Sequence, residues 1–320
     1  MTHYDVFNGD ADGICALHQL RLSNPLDSVL ITGVKRDIDL LKQVPVADTH
    51  SVTVLDISLD KNRAPLETLL KNNISVEYFD HHFAGDLPQS PLLSATINTA
   101  GNVCTGLLVD QHLSGAHRAW AVVAAYGDNL FDAAAGAARS LELDKEQLAE
   151  LETLGTLMNY NGYGGSLDDL FFAPDQLYRS IQPYADPFNF IHNDSTFATL
   201  SQGYAEDMQR AHDTPAELET SDVALFIFPE DPFSRRVSGV YSNLLARENP
   251  DRAHALLSTL EDGAYLISVR APLATREGAD ELCRQFETGG GRKAAAGINH
   301  LPASDLDRFT DAFKAQFSQR

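Results

Sequence analysis

The feature that most constrains this fold is a repeated local pattern in the first third of the chain: a short apolar run, a polar turn, then a helical stretch. Tyr4 to Phe7, Val29 to Gly33, Val52 to Ile57 and Val76 to Phe79 read as strands. Gly13 to Arg21 and Arg63 to Asn72 carry the spaced apolar residues of amphipathic helices. Strands alternating with helices assemble through right-handed βαβ units, so the region is predicted to form a parallel α/β sheet. Ligands of such sheets gather outside the carboxyl ends of the strands. Asp10, Asp12, Asp56 and Asp80 all fall at or just after a predicted strand end.

Further along, Ser114 to about Met158 reads as helical, and the Gly/Asn/Tyr-rich segment Asn159 to Gly165 reads as a loop. Ser195 to Ala211 is predicted to form one helix before the Asp213-Thr214-Pro215 break. Beyond it, Val223 to Phe228 and Tyr265 to Val269 read as strands, Ser242 to Glu248 and Gly278 to Phe286 as helices. A chain of 320 residues with 43% hydrophobic content can bury two cores. The expected division is a first domain over 1–190, a helical linker over 191–220 and a second, smaller α/β domain over 221–320.

A net charge of −21 argues against a long duplex or other extended polyanion as partner, because tracking many phosphates takes a broad basic surface. The charge is uneven. Residues 221–320 hold 12 of the 24 Lys+Arg but only 14 of the 45 Asp+Glu, so the last third is the better place to grip an anion. No run is apolar enough to span a bilayer, and the N-terminus lacks a basic region followed by a long apolar stretch. Cys15, Cys104 and Cys283 form no CxxC pair, which predicts buried thiols and a reduced, cytoplasmic setting without a membrane partner. Oligomeric state is not legible.

Asn8-Gly9-Asp10-Ala11-Asp12-Gly13 places two carboxylates on a glycine-flanked turn into a helix, a pattern that an ordinary turn also explains. Asp56 ends an otherwise apolar strand, where a carboxylate needs a cation, a cap or a hydrogen-bonded turn. Asp80-His81-His82 sets two imidazoles beside a carboxylate able to orient them. In the second domain, Gly289-Gly290-Gly291-Arg292-Lys293 offers close backbone approach plus two cations to a phosphate, or is simply a flexible loop. Arg270 ends an apolar strand and needs an anion there, either a phosphate or a carboxylate of the chain. Asn159 and Asn161 can read base or sugar edges around Tyr160, which otherwise packs on the core. Thr105 either touches phosphate or caps a helix.

In order and spacing, the segments around Asp10, Asp56 and Asp80-His81-His82, with Asp128 behind a helical run, resemble the motifs of the DHH phosphoesterase superfamily. That superfamily includes RecJ-type exonucleases, nanoRNases and cyclic-dinucleotide phosphodiesterases. Ser268-Val269-Arg270 with the run Gly289 to Gly297 is similar to its associated C-terminal substrate-binding domain. The resemblance implies a metal-binding catalytic first domain, with the active site in a cleft between the domains. Asp10, Asp12, Asp56, His81 and Asp128 would hold one or two divalent ions, Mn²⁺ first and Mg²⁺, Zn²⁺ or Fe²⁺ also compatible with such donors, with Asp56 bridging. His82 would face the scissile phosphate and Asp80 would orient the pair. Arg270, Gly289, Gly290, Gly291, Arg292, Lys293, Asn159, Asn161 and Thr105 would handle substrate, a small nucleotide or short oligonucleotide. The implied activity is metal-dependent phosphodiester hydrolysis by activated water. Phosphomonoesterase or short-chain polyphosphatase activity, or a catalytically impaired nucleotide sensor, are the alternatives. Two departures stand out. No histidine occupies Asp5 to Gly9, where many members carry one, and Arg292 replaces the histidine that commonly ends the glycine motif.

Overall fold

The computed structural model describes residues 2–318 and divides into two compact units, Met1–Gln202 and Gly203–Arg320. The first is built on β1 (Thr2–Phe7), α1 (Ala11–Ser23), β2 (Val29–Ile31), β3 (Thr49–Leu55), α2 (Arg63–Lys71), β4 (Ser75–Asp80) and β5 (Leu93–Ile97). It continues through α3 (Thr105–His112), α4 (Arg118–Gly127), α5 (Phe131–Ala138), α6 (Lys145–Gly162), α7 (Pro174–Ile181) and α8 (Pro187–Asn193), and the division falls inside α9 (Ser195–His212).

The five strands pair in the order β2-β1-β3-β4-β5, all parallel, as the strand–helix alternation predicts. Register follows the apolar residues: Val6 pairs with Val54, and Val54 with Tyr78. Val6, Val54, Leu66 and Tyr78 are fully buried in one cluster on the α2 side, each such side chain contributing about 1.5–3 kcal/mol. Residues Ala11 to Leu20 of α1 and Trp120 to Gly127 of α4 are buried without interruption, so α1 is an interior helix rather than an amphipathic one. The reading of α1 as amphipathic fails because α3, α4, α6 and α7 surround it.

Three differences from the sequence reading matter. Leu93–Ile97 is an edge strand, half-buried in alternation, whose short Leu-Ser-Ala-Thr-Ile pattern is too weak to read unaided. The predicted helical stretch from Ser114 to Met158 is broken after Asp128 and near Glu142, where Asn129 and Glu142 take left-handed backbone conformations. Asn159 to Gly165 is not a loop throughout: α6, opened by a capping box at Asp144, runs to Gly162 and buries Tyr160 completely.

The second unit contains β6 (Leu218–Glu219), β7 (Val223–Phe228), α10 (Pro232–Glu248), β8 (Ala253–Thr259), β9 (Tyr265–Arg270), α11 (Ala279–Cys283), β10 (Gly289–Gly291), β11 (Ala295–Leu301) and α12 (Leu306–Phe317). Its sheet runs β10-β11-β9-β8-β7-β6, antiparallel except for the β7–β8 pair. Leu225, Leu257, Val269 and Ile298 pack with Phe309, Phe313 and Phe317 of α12 in its core. All three cysteines are buried thiols. Among the described residues, no helix is long and apolar enough to cross a membrane.

Candidate metal centre

In the order β2-β1-β3-β4-β5, the strand sequence reverses at the β1–β3 boundary, the place where such sheets open a crevice at their carboxyl ends. The segments leaving β1, β3 and β4 there carry Asp10, Asp56 and His81-His82. Asp10 caps α1, its Oδ1 accepting the N–H groups of Asp12 (3.0 Å) and Gly13 (3.2 Å). Asp12 lies in the first turn of α1, and its two oxygens accept the N–H groups of Thr105 and Gly106, both at 2.7 Å, at the start of α3. Gly106 is required there. A Cβ on it would sit 2.4 Å from the Ala124 Cβ and 3.1 Å from Asp12 Oδ1. Thr105 also donates its hydroxyl to Asp56 Oδ1 at 3.1 Å, and Cys104, not Thr105, holds the cap position of α3. Asp56 has φ +60°, a left-handed conformation that Asp and Asn tolerate better than other side chains.

His81 completes the cluster. Its Nδ1 is 2.9 Å from the Val103 carbonyl, which can only accept, so the proton belongs on Nδ1 and the Nε2 lone pair faces the acids. That Nε2 lies 3.4 Å from Asp56 Oδ1, 3.4 Å from Asp128 Oδ2 and 3.9 Å from Asp12 Oδ2. A ring nitrogen fixed by a backbone carbonyl while the other points at carboxylates is the arrangement of a metal-ligating histidine. Two groups, Asp12 with His81 and Asp128, and Asp56 with His81 and His82, place their ligand atoms within 4.8 Å of one another. Oxygen and imidazole donors of this kind suit Mn²⁺, Mg²⁺, Fe²⁺ or Zn²⁺.

The clustered carboxylates oppose one another's charge. Burial, reinforced by Asp12, Asp10, Asp128 and Asp80, pushes the Asp56 carboxyl well above the ordinary carboxylate range. Burial and then Asp128 raise Asp12 as well. Asp80 is fully buried, accepting from the His81 backbone N–H at 2.9 Å and bonding His82 Nδ1 at 2.7 Å, so it holds the His82 ring, whereas the His81 ring is held by the Val103 carbonyl. Partial burial works against charge on His82, but the Asp80 hydrogen bond and charge outweigh it and raise the imidazole pKa. The His82 side chain is 46% exposed.

Sequence reasoning missed Lys35. Its ammonium pairs with Asp10 Oδ2, donates to Asn159 Oδ1 at 2.7 Å and lies 3.7 Å from Asp128 Oδ1. Burial opposes its charge, yet Asp10, Tyr163 and Asp128 raise its pKa well above the ordinary lysine value. The one available signal was weak: Lys35 lies in the turn that follows β2, at the sheet end where the acids gather. Asn159 therefore borders the acidic cluster through Lys35. Asn161 does not offer its amide to a ligand: Nδ2 donates to the Phe172 carbonyl at 2.8 Å and Oδ1 accepts the Phe172 N–H at 3.1 Å.

The second unit gathers its own set. Arg270 ends β9, where Nε donates to Asn243 Oδ1 at 2.8 Å and Nη1 to Ser268 Oγ at 3.0 Å. Gly289, Gly290 and Gly291 are not a loop but strand β10, paired with Ile298, Gly297 and Ala296. A Cβ on Gly289 would fall 1.8 Å from the Cys283 carbonyl oxygen, so packing on α11 requires this glycine, whereas Gly290 faces open space. Arg292 and Ala295 exchange backbone hydrogen bonds at 2.9 and 3.1 Å, which puts Arg292 and Lys293 in the turn of the β10–β11 hairpin. Ala295 pairs with Arg270 across the sheet, so this turn and Arg270 share one end of the unit. Lys293 Nζ is 3.3 Å from Glu277 Oε1.

No family model matches the chain, and no curated protein matches it in sequence. Solved structures do match. A manganese-bound RecJ exonuclease aligns over 100% of this chain and 90% of its own, with TM-score 0.63 and 15% identity. The Mn²⁺ complex of RecJ from Thermus thermophilus gives TM-score 0.65 and 16% identity over 98% of this chain, which spans 51% of that longer protein. The pGpG-specific phosphodiesterase PggH from Vibrio cholerae gives TM-score 0.57 and 13% identity over 99% of this chain and 98% of its own. The chain has the two-unit α/β fold of these RecJ and PggH structures.

Proposed function

We propose that this chain is a divalent-metal-dependent phosphodiesterase that hydrolyses dinucleotides or very short oligonucleotides. The observation that carries the reading is the His81 geometry: Nδ1 is held by a backbone carbonyl while Nε2 faces Asp12, Asp56 and Asp128, three carboxylates on different elements. A divalent ion on these residues, Mn²⁺ foremost, would supply positive charge to the phosphoryl oxygens and activate water for attack on phosphorus. Thr105 and Gly106 hold Asp12 in one orientation, and Thr105 steadies Asp56, so the ligands are fixed before substrate arrives. His82, aligned by Asp80, presents Nε2 to a phosphoryl oxygen or to the leaving oxygen, where its raised pKa favours donation of a proton.

Arg270, Arg292 and Lys293 supply cations for a phosphate that does not react, and the strand Gly289–Gly291 supports them. The small-substrate reading is supported by the net charge of −21, which disfavours a long polyanion, and by the fold shared with a protein named for pGpG.

The test is to incubate manganese-reconstituted protein with dinucleotides, cyclic dinucleotides, 3′,5′-bisphosphorylated adenosine, short polyphosphates and longer single strands, and to weigh the products. Mononucleotides from dinucleotides, with longer strands cut poorly, are expected. Release of inorganic phosphate alone would replace this reading with a phosphomonoesterase or polyphosphatase.

A further inference from the structure

We propose that Lys35 stands in for a second metal ion: its ammonium group holds Asp10, so that the centre takes one divalent cation, on Asp12, Asp56, His81 and Asp128, rather than two. The inference rests on the metal-dependent reading above and concerns how many ions that centre accepts. The two candidate ligand groups share His81, whose Nδ1 is held by Val103 and whose one remaining lone pair on Nε2 serves a single ion, so a second ion would draw on Asp10, which lies against Asp56. Here both oxygens of Asp10 already have partners, and the one on Oδ2 is a cation. Oδ1 accepts two N–H groups as the cap of α1, and Oδ2 is paired with Lys35. Accordingly, neither group of ligand atoms lying within 4.8 Å of one another includes Asp10.

The lysine is placed, not incidental. Its backbone N–H donates to the Gly162 carbonyl at 2.9 Å, and its carbonyl accepts from Asn8 Nδ2 at 3.1 Å. Its ammonium spans Asp10 on β1's exit and Asn159 on α6, and lies 5.4 Å from the centre of the Tyr163 ring. A divalent ion on Asp10 Oδ2 would have to displace this group or bear its repulsion. The segment Asp5 to Gly9 adds no nitrogen ligand beside Asp10, because it contains no histidine and the Asn8 amide serves the Lys35 carbonyl and the Asp10 N–H. An ammonium there supplies one positive charge and several donors without being exchanged with solvent, which makes Lys35 a positioning residue for Asp10.

The experiment is a Mn²⁺ titration of the full chain by equilibrium dialysis and electron paramagnetic resonance, without substrate. The wild type is expected to saturate at one ion with a magnetically isolated signal. Lys35→Met frees Asp10 and is expected to take up a second ion with a coupled, broadened signal, while Lys35→Arg keeps one. Trp120 fluorescence checks that each variant is folded. A wild type that binds two ions with comparable affinity and a coupled signal overturns the inference, as does a folded Lys35→Met protein that stays at one ion. A one-ion wild type that cleaves no phosphodiester supports this inference while overturning the proposed function. A protein that binds no manganese overturns both.

Discussion

Replacing Asp56 separates what a metal contributes from what the backbone contributes. Asparagine keeps the shape, tolerates φ +60° and can still accept the Thr105 hydroxyl, but it removes a carboxylate that burial and its acidic neighbours disfavour. The metal-free Asp56→Asn protein is therefore expected to be at least as stable as the metal-free wild type. Mass action then sets the metal effect. Mn²⁺ at a hundred times its dissociation constant stabilises a folded unit by about 2.7 kcal/mol. For a unit the size of Met1–Gln202, that raises the melting temperature by about 5–10 °C. Loss of a ligand that weakens binding about a hundredfold cuts the gain, at the same Mn²⁺ concentration, to about 0.4 kcal/mol, a rise of about 1–2 °C. Asp56→Ala should show the same small Mn²⁺ shift as the asparagine variant, but melt about 2–4 °C lower with and without metal, because a left-handed alanine costs about 1 kcal/mol. The assay is thermal unfolding followed by fluorescence of Trp120, the sole tryptophan, buried in α4 and so a reporter of the first unit. Turnover should vanish in both variants. An Asp56→Asn protein that keeps the full Mn²⁺ shift would refute the assignment of Asp56 as a ligand.

The other expectations reach both units. His18 and His254 are buried and held neutral by desolvation, each lowered to about 4, so the folded state resists a proton that the unfolded chain takes up near 6.5. Their stability is complete above pH 6.5 and is lost as pH falls toward 4, by about 2 kcal/mol each at pH 5. Urea unfolding at pH 7 and pH 5 measures this, and His254→Leu should reduce the pH dependence; an unchanged slope would contradict it. Gly289→Ala should destabilise the second unit by about 1–3 kcal/mol through collision with the Cys283 carbonyl, whereas Gly290→Ala should be nearly neutral in the same urea titration. Arg270→Ala and Arg292→Ala should each raise KM for a dinucleotide about 10- to 100-fold with metal content unchanged, as expected for a lost charge-assisted contact to phosphate. Equal proportional losses on a generic aryl phosphoester would assign these arginines a general structural role instead.

Most of the centre was legible because chemistry and periodicity coincide at Asp10, Asp56 and Asp80: each carboxylate interrupts or follows an apolar strand, a place where burial demands a partner. Lys35 was not. In Gly33-Val34-Lys35-Arg36 it reads as an ordinary surface turn, and only the return of α6 brings Asn159 and Gly162 against it. The same helix explains the misreading of Asn159 to Gly162, whose Gly/Asn/Tyr composition suggests a loop while tertiary packing of Tyr160 and the Asn161 link to Phe172 keep it helical. Gly289–Gly291 offers no side-chain alternation to read, so its strand character comes entirely from pairing with β11 and from the Cys283 carbonyl beneath it. The first sheet follows from local patterns, whereas the second, mixed sheet depends on partners far along the chain.

Gly106 carries a consequence for how such a centre can be lost. Its amide holds Asp12, and the space a side chain would need is already filled by Ala124. During mutational drift, a change to alanine there would introduce one methyl group, push α3 from α4 and turn Asp12 away, with every acid and both histidines still present in the sequence. A lineage could thus retain an intact list of ligands and an inactive protein, so the inheritance of function in this fold has to be judged at its contact glycines as well as at its acids.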